Sequence, residues 1–217
     1  MSVKQILGVI SFLVVMSFGT AQTQSIGFGL RGGIDRGYEY GNVFGQGNLR
    51  GFQGGAYARF DFIGGVFGIH PEVLFSRRTF SADNGPFLFP DTEELMPNYR
   101  RNYTFVDVPV FLRINVTPGF HFLVGPQVSG LLYSREHYYE PEGRSHSIYH
   151  SGYENRLDLY GVAGLGYEFE SGFNVGFRYG VGLGQIHGGG SSGNAGLLFD
   201  RQAQLVVGYT FLTRGKE

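Results

Sequence analysis

An all-β fold, an eight-stranded antiparallel up-and-down transmembrane β-barrel, is what the sequence predicts, and three observations predict it. Apolar and polar residues alternate with a period of two across nearly all of 26–211. Short glycine-bearing turns alternate strictly with long connections. The N-terminal segment carries the marks of an export signal.

The export signal comes first in the chain. Lys4 gives a basic start, and 6–18 is an apolar run interrupted only by Gly8, Ser11 and Ser17. Gly19-Thr20-Ala21 supplies small residues where a signal peptidase cuts, so the expected division is a signal peptide over 1–21 and a barrel domain over 22–217. The run is too short for a retained membrane helix, and no later segment holds 18 continuous apolar residues. About 196 residues then remain, a length that fits one domain. With no Cys in the chain there is neither a disulfide nor a lipid-bearing Cys. A hydrophobic content of 42% argues against disorder despite 37 Gly. The net charge of −1 gives no electrostatic case for a nucleic-acid partner. Only Lys4 and Lys216 are Lys; the remaining basic residues are Arg, which suits forked contacts with carboxylate or phosphate.

Eight segments follow in order. Ile26, Phe28, Leu30 and Ile34 oppose Gly27, Gly29, Arg31 and Gly33. Phe52, Ala56, Ala58, Phe60 and Phe62 oppose Gln53, Gly55, Tyr57, Arg59 and Asp61. Phe67, Ile69, Val73 and Phe75 oppose Gly68, His70, Glu72 and Ser76. Over 102–116 one face reads Val106, Val108, Val110, Leu112, Ile114 and the other Asp107, Pro109, Phe111, Arg113. Phe122, Val124, Val128 and Leu132 oppose His121, Gly125, Gln127 and Ser129. Leu157, Leu159, Ala163, Leu165 and Tyr167 oppose Asp158, Tyr160, Gly164, Gly166 and Glu168. Phe173, Val175, Phe177, Tyr179, Val181 and Leu183 oppose Asn174, Gly176, Arg178, Gly180 and Gly182. Ala203, Leu205, Val207, Tyr209 and Phe211 oppose Gln202, Gln204, Gly208 and Thr210. Segments of roughly 9 to 14 residues are long enough to cross hydrocarbon when tilted. The tight turns fall at 63–65, 117–119 and 170–172, and the long connections near 35–50, 79–102, 134–155 and 184–197. That is the order expected when both chain ends face the periplasm.

A soluble up-and-down barrel also alternates, but with its apolar face inward. An eight-stranded interior has room only for packed side chains, and six large apolar residues per strand would overfill it. Turning the apolar face to lipid removes the conflict, and hydrocarbon then requires a closed barrel. Phe60, Phe62, Phe67, Phe120, Phe122, Tyr167, Phe169, Phe173, Tyr209 and Phe211 gather at the short-turn end, as an interfacial belt does. Pro71, Pro109 and Pro126 fall inside strands, where bulges are expected.

The stretch 51–62, the run His70-Pro71-Glu72-Val73-Leu74-Phe75-Ser76, Asp107-Val108-Pro109-Val110, Gly125-Pro126, Phe177-Arg178-Tyr179 and Gly208-Tyr209-Thr210-Phe211 resemble the small outer-membrane β-barrel domain family. This porin-like family is common in Bacteroidota-type bacteria and includes PorT-like proteins. The likeness runs over 26–211, and order and spacing carry it more than any single motif. It implies the fold and the bacterial outer membrane. It implies no single activity, although a PorT-like accessory role in a protein-secretion assembly comes with it.

The inward faces bring together Arg31, Arg59, Arg113 and Arg178 with Asp61, Glu72, Asp107, Asp158 and Glu168. Charges in a narrow lumen must pair, so these nine residues are expected to form an ion network that plugs and stiffens the barrel; a proton or ion path is the functional alternative. His137, His146 and His150 share the third long connection with several Tyr, but without metal-ligand spacing, so an aromatic recognition loop is expected there and no metal or cofactor. Arg77, Arg78, Arg100 and Arg101 bracket 79–102 and are candidates to hold outer-membrane lipid through lipopolysaccharide phosphates. The alternative is pairing with Asp83, Asp91, Glu93 and Glu94. No Gly-x-Ser-x-Gly elbow, His-Glu-x-x-His pair or phosphate loop occurs, so no catalytic residue is named. The expected function is that of a non-enzymatic integral barrel acting as a scaffold or recognition surface, with protein partners met through 79–102 and 134–155. An outer-membrane enzyme with a loop-borne site is the further alternative.

Overall fold

A computed structural model describes residues 25–41, 45–62, 65–87, 95–139, 145–151, 157–187 and 199–215. The export segment expected at 1–21 lies outside the described residues. Every described element is a strand: β1 (Ser25–Gly41), β2 (Gly45–Phe62), β3 (Phe67–Phe87), β4 (Leu95–Asn115), β5 (Phe120–Tyr139), β6 (Ser145–Ser151), β7 (Leu157–Glu168), β8 (Phe173–His187) and β9 (Phe199–Gly215). All pairings are antiparallel and join neighbours in sequence, β6 apart; β1 meets β9 and β4 meets β5, which closes an eight-stranded ring. A ring leaves no backbone donor or acceptor at an open edge, the condition hydrocarbon imposes. The short β6 stands outside the ring, paired only with the outer end of β5 from Tyr133↔Ser151 to Tyr139↔Ser145.

The three short turns share one device. Gly65, Gly119 and Gly172 adopt φ of 75°, 84° and 87°, a region costly for any residue with a Cβ. In the third turn the Gly172 N–H donates to the Phe169 carbonyl at 2.9 Å.

The alternation sorts as the lipid-facing reading expects. Leu30, Phe52 and Phe75 are each 60% exposed, while Asp107, Gln202 and His70 on the opposite face are 0% exposed. Phe67, Phe122, Tyr167, Phe169, Phe173, Tyr209 and Phe211 stand exposed near the short-turn end. Edge-to-face contacts join Phe120 to Phe122 at 5.2 Å and Tyr167 to Phe169 at 4.9 Å.

Three expectations need correction. The ring strands run from 12 described residues in β7 to 21 in β3 and β4, so most of the expected long connections are hairpin. Pairing continues through Arg36↔Arg50 and Thr79↔Asn102, above the apolar band, because ladder hydrogen bonds hold in water as well as in lipid. There the outward positions turn polar while Leu49, Phe80 and Tyr103 face inward, so the apolar-out alternation is lost from the sequence. The prolines, for their part, sit in no bulge. Each leaves a gap in the ladder toward the preceding strand without shifting register, as at Pro71, where pairing resumes at Tyr57↔Glu72 and Phe60↔Ile69. The register shifts lie elsewhere, including Phe28/Gly29 and Thr104/Phe105. Finally, the lumen is less polar than expected: Leu49, Phe80, Tyr103 and Phe105 form one buried apolar cluster, and Phe111, Leu123, Tyr160 and Val162 another.

Candidate functional site

The ion network is built in three tiers. Each tier exists because strands present every second residue inward and glycines leave room for long side chains. A Cβ on Gly164, for example, would stand 2.8 Å from the Arg178 Cγ.

Glu72 of β3 anchors the middle tier. Arg178 from β8 forks onto it, Nη1 donating to Oε2 at 2.9 Å and Nη2 to Oε1 at 2.6 Å, and Arg31 from β1 donates to Oε1 as well. The His70 Nε2 lies 2.9 Å from the same oxygen. The cations are also stacked: Arg31 lies 4.6 Å over the Tyr57 ring and Arg178 4.6 Å over Phe111. The Tyr57 ring in turn stacks on His70 at 4.9 Å. The inward aromatics thus serve as faces for guanidinium groups.

Toward the short-turn end, Glu168 of β7 receives Arg59 and, at 3.1 Å, Arg113; the Arg59 Nε reaches Asp61 at 2.9 Å. Ser25 closes the tier by donating to Asp61 at 2.8 Å. Arg59, Asp61, Arg113 and Glu168 line a mouth cavity of about 520 Å³ at the short-turn end. A relay links the two tiers. Arg31 donates to the Asn174 Oδ1 at 3.2 Å, and Asn174 Nδ2 donates to the Tyr57 Oη at 2.8 Å. Thr210 donates its one hydroxyl proton to Glu168 at 3.0 Å, so in the 2.7 Å pair between Tyr57 and Thr210 the tyrosine is the donor. Every bond points from cation to carboxylate.

In the outer tier Asp107 of β4 accepts from Arg78 at 2.7 Å and from Ser76 at 2.6 Å. Arg78 lies 4.8 Å over the Phe105 ring. Asp158 and Asp35 are buried in the lumen too, with Gln53 donating to Asp35 at 2.9 Å. The nine residues expected in the lumen all lie there. Missing from that set were Arg78, Asp35, His70 and Asn174, and the signal for Arg78 was parity with Ser76.

The expected lipid-contact quartet is corrected by the same parity. Neighbouring residues of a strand point to opposite faces, so neither Arg-Arg pair can act as one patch. Arg77 and Arg100 are exposed on the outside, whereas Arg78 is 1% exposed within the lumen. Arg101 turns toward the buried Ser134 hydroxyl, 3.3 Å away. The His146 and His150 side chains lie outside the described residues, and among the described residues no group of three His, Asp or Glu is placed to hold a metal.

A closed eight-stranded ring with an apolar exterior and a charged, filled interior defines a small integral membrane barrel. The family model described as "Outer membrane protein beta-barrel domain" matches residues 20–188, and the chain belongs to that family. Among solved structures, Ail, the attachment invasion locus protein of Yersinia pestis, is 15% identical, with 86% of this chain and 98% of that one covered at a TM-score of 0.48. Neisserial surface protein A is 12% identical over 85% and 97%, also at 0.48, and the outer-membrane protease OmpT of Escherichia coli is 10% identical over 88% and 98%, at 0.38. No curated protein matches the chain.

Proposed function

We propose that this outer-membrane barrel does no chemistry and conducts no solute, and works instead as a rigid scaffold that holds a recognition surface outside the cell. The filled lumen carries this reading: Arg78, Arg178, Phe111, Leu74, His70 and Gln127 are all fully buried inside an eight-stranded ring. Eight strands leave space for packed side chains and not for a water column. The recognition surface is the part of the wall that continues past the apolar band, the β3–β4 hairpin and the β5–β6 extension.

Two measurements test this. In planar bilayers the purified barrel is expected to show no steady conductance, and a large open-state current would overturn the sealed lumen. A photo-crosslinker placed on whole cells at Ser145 or Ser147 of β6 is expected to trap a partner polypeptide that the same probe at Leu205 does not. Failure to trap any polypeptide from either rim position would remove the recognition role. A trapped partner that belongs to a secretion assembly would make this the accessory role that the PorT-like resemblance implies.

A further inference from the structure

The outward face carries a charge pattern that the lumen network does not account for. Six neighbouring strands of the ring each present one arginine to the outside: Arg201 on β9, Arg36 on β1, Arg50 on β2, Arg77 on β3, Arg100 on β4 and Arg135 on β5. Five are exposed and Arg135 is half-buried. Among the described side chains, every strand carboxylate faces the lumen: Asp35, Asp61, Glu72, Asp107, Asp158 and Glu168. The described outward side chains at this height therefore carry positive charge and no carboxylate.

Register places these arginines as one belt. Arg36 and Arg50 are direct cross-strand partners, and Arg201 pairs with Tyr38, one outward step above Arg36. Arg77 pairs with Phe52, one step below Arg50, while Arg135 pairs with Asn102, one step below Arg100. Like charges directly opposite one another destabilise a sheet, so the Arg36–Arg50 pair calls for an anion between its members. Two recesses, of about 560 Å³ and 380 Å³, lie along the belt and share Asn48 and Arg50. The first holds Arg50, Arg77 and Arg100, the second Arg36, Arg50 and Arg201.

Height fixes what meets the belt. Arg50, Arg77 and Arg201 each stand ten residues from an aromatic of the short-turn belt, Phe60, Phe67 and Phe211. At about 3.3 Å per residue and a tilt near 40°, ten residues rise about 25 Å, the height of a barrel's apolar band. Arginine costs several-fold less at that boundary than at mid-membrane.

We infer that this belt is a binding site for the phosphate groups of an outer-leaflet glycolipid of the lipid A type, whose acyl chains lie along Phe52, Phe75 and Leu205 below. Forked guanidinium–phosphate hydrogen bonds supply the hold, and two recesses match a headgroup with two phosphates. The site rests on the outward orientation of the strands and not on a sealed lumen, so a conducting barrel would leave it untouched.

The test uses the full-length barrel in detergent, with lipid retention counted by native mass spectrometry. Diphosphoryl lipid A is expected to stay bound through delipidating conditions, and to bind about ten-fold more weakly to a triple variant carrying Arg36→Gln, Arg50→Gln and Arg77→Gln. A second triple, Arg100→Gln, Arg135→Gln and Arg201→Gln, is expected to weaken it likewise, and keeps the comparison open if the first fails to migrate as a folded barrel. Phosphatidylglycerol is expected to be retained poorly and inorganic phosphate not to displace the lipid. Equal retention by wild type and variants overturns the site. Equal retention of phosphatidylglycerol, or displacement by inorganic phosphate, reduces it to a general anion surface and overturns the glycolipid assignment.

Discussion

Replacing Glu72 with Gln keeps the side chain's shape and removes the one negative charge that Arg31 and Arg178 share. Both guanidiniums then remain buried without their counterion. Loss of one partner from a buried ion pair costs about 3–5 kcal/mol. Urea unfolding of Glu72→Gln in lipid vesicles is expected to show a loss of that order, and an unchanged midpoint would mean the tier is held by its ring stacking alone. How far such a residue can be read from sequence depends on its neighbours. Glu72 lies amid clear alternation, with Val73 and Phe75 on one side and His70 and Ser76 on the other. Arg78 follows the same parity two positions past Ser76, yet its neighbour Arg77 made the pair look like a rim patch. Parity sends Arg78 inward, and the partner strand supplies its carboxylate, Asp107 at 2.7 Å. His70 shares the parity of Glu72, but only the neighbouring strand, bringing Tyr57 to 4.9 Å, shows what its ring stacks on.

Among the elements, the short turns were fully legible, because a glycine in the left-handed region between two alternating runs is a local signal. They also permit a paired comparison. Gly65 (φ 75°) has open space where a Cβ would stand, so Gly65→Ala carries only backbone strain, about 1–2 kcal/mol. Gly119 (φ 84°) has the Glu168 carbonyl 2.5 Å from the same position, so Gly119→Ala is expected to cost more than Gly65→Ala in the same unfolding measurement. Equal losses would show that the second turn relaxes away from β7. The outer ends of the strands were not legible. At the level of the belt, Thr79 and Asn102 are polar on outward positions, and pairing alone defines the strand. The short β6 is the extreme case, a strand of 7 residues held by one neighbour.

At the scale of the whole molecule, orientation in the membrane follows from which face is apolar. Leu205, 55% exposed, is expected to resist charge strongly: Leu205→Arg should destabilise the barrel by about 2–4 kcal/mol in vesicles if it lies near the midplane. A cost within about 0.5 kcal/mol, as at a watery surface, would contradict the lipid-facing assignment. Ring closure was legible in outline, since even strand number and alternating turn lengths leave one simple arrangement. Of the apolar clusters in the lumen only the facing was legible: Phe111 and Tyr160 alternate with Arg113 and Asp158, and ring closure is what packs them together. β3 and β4 hold 21 residues each, so their paired wall runs on well past the apolar band. A neighbour diffusing in the bilayer toward that bearing meets a stiff ridge of hydrogen-bonded backbone before anything else.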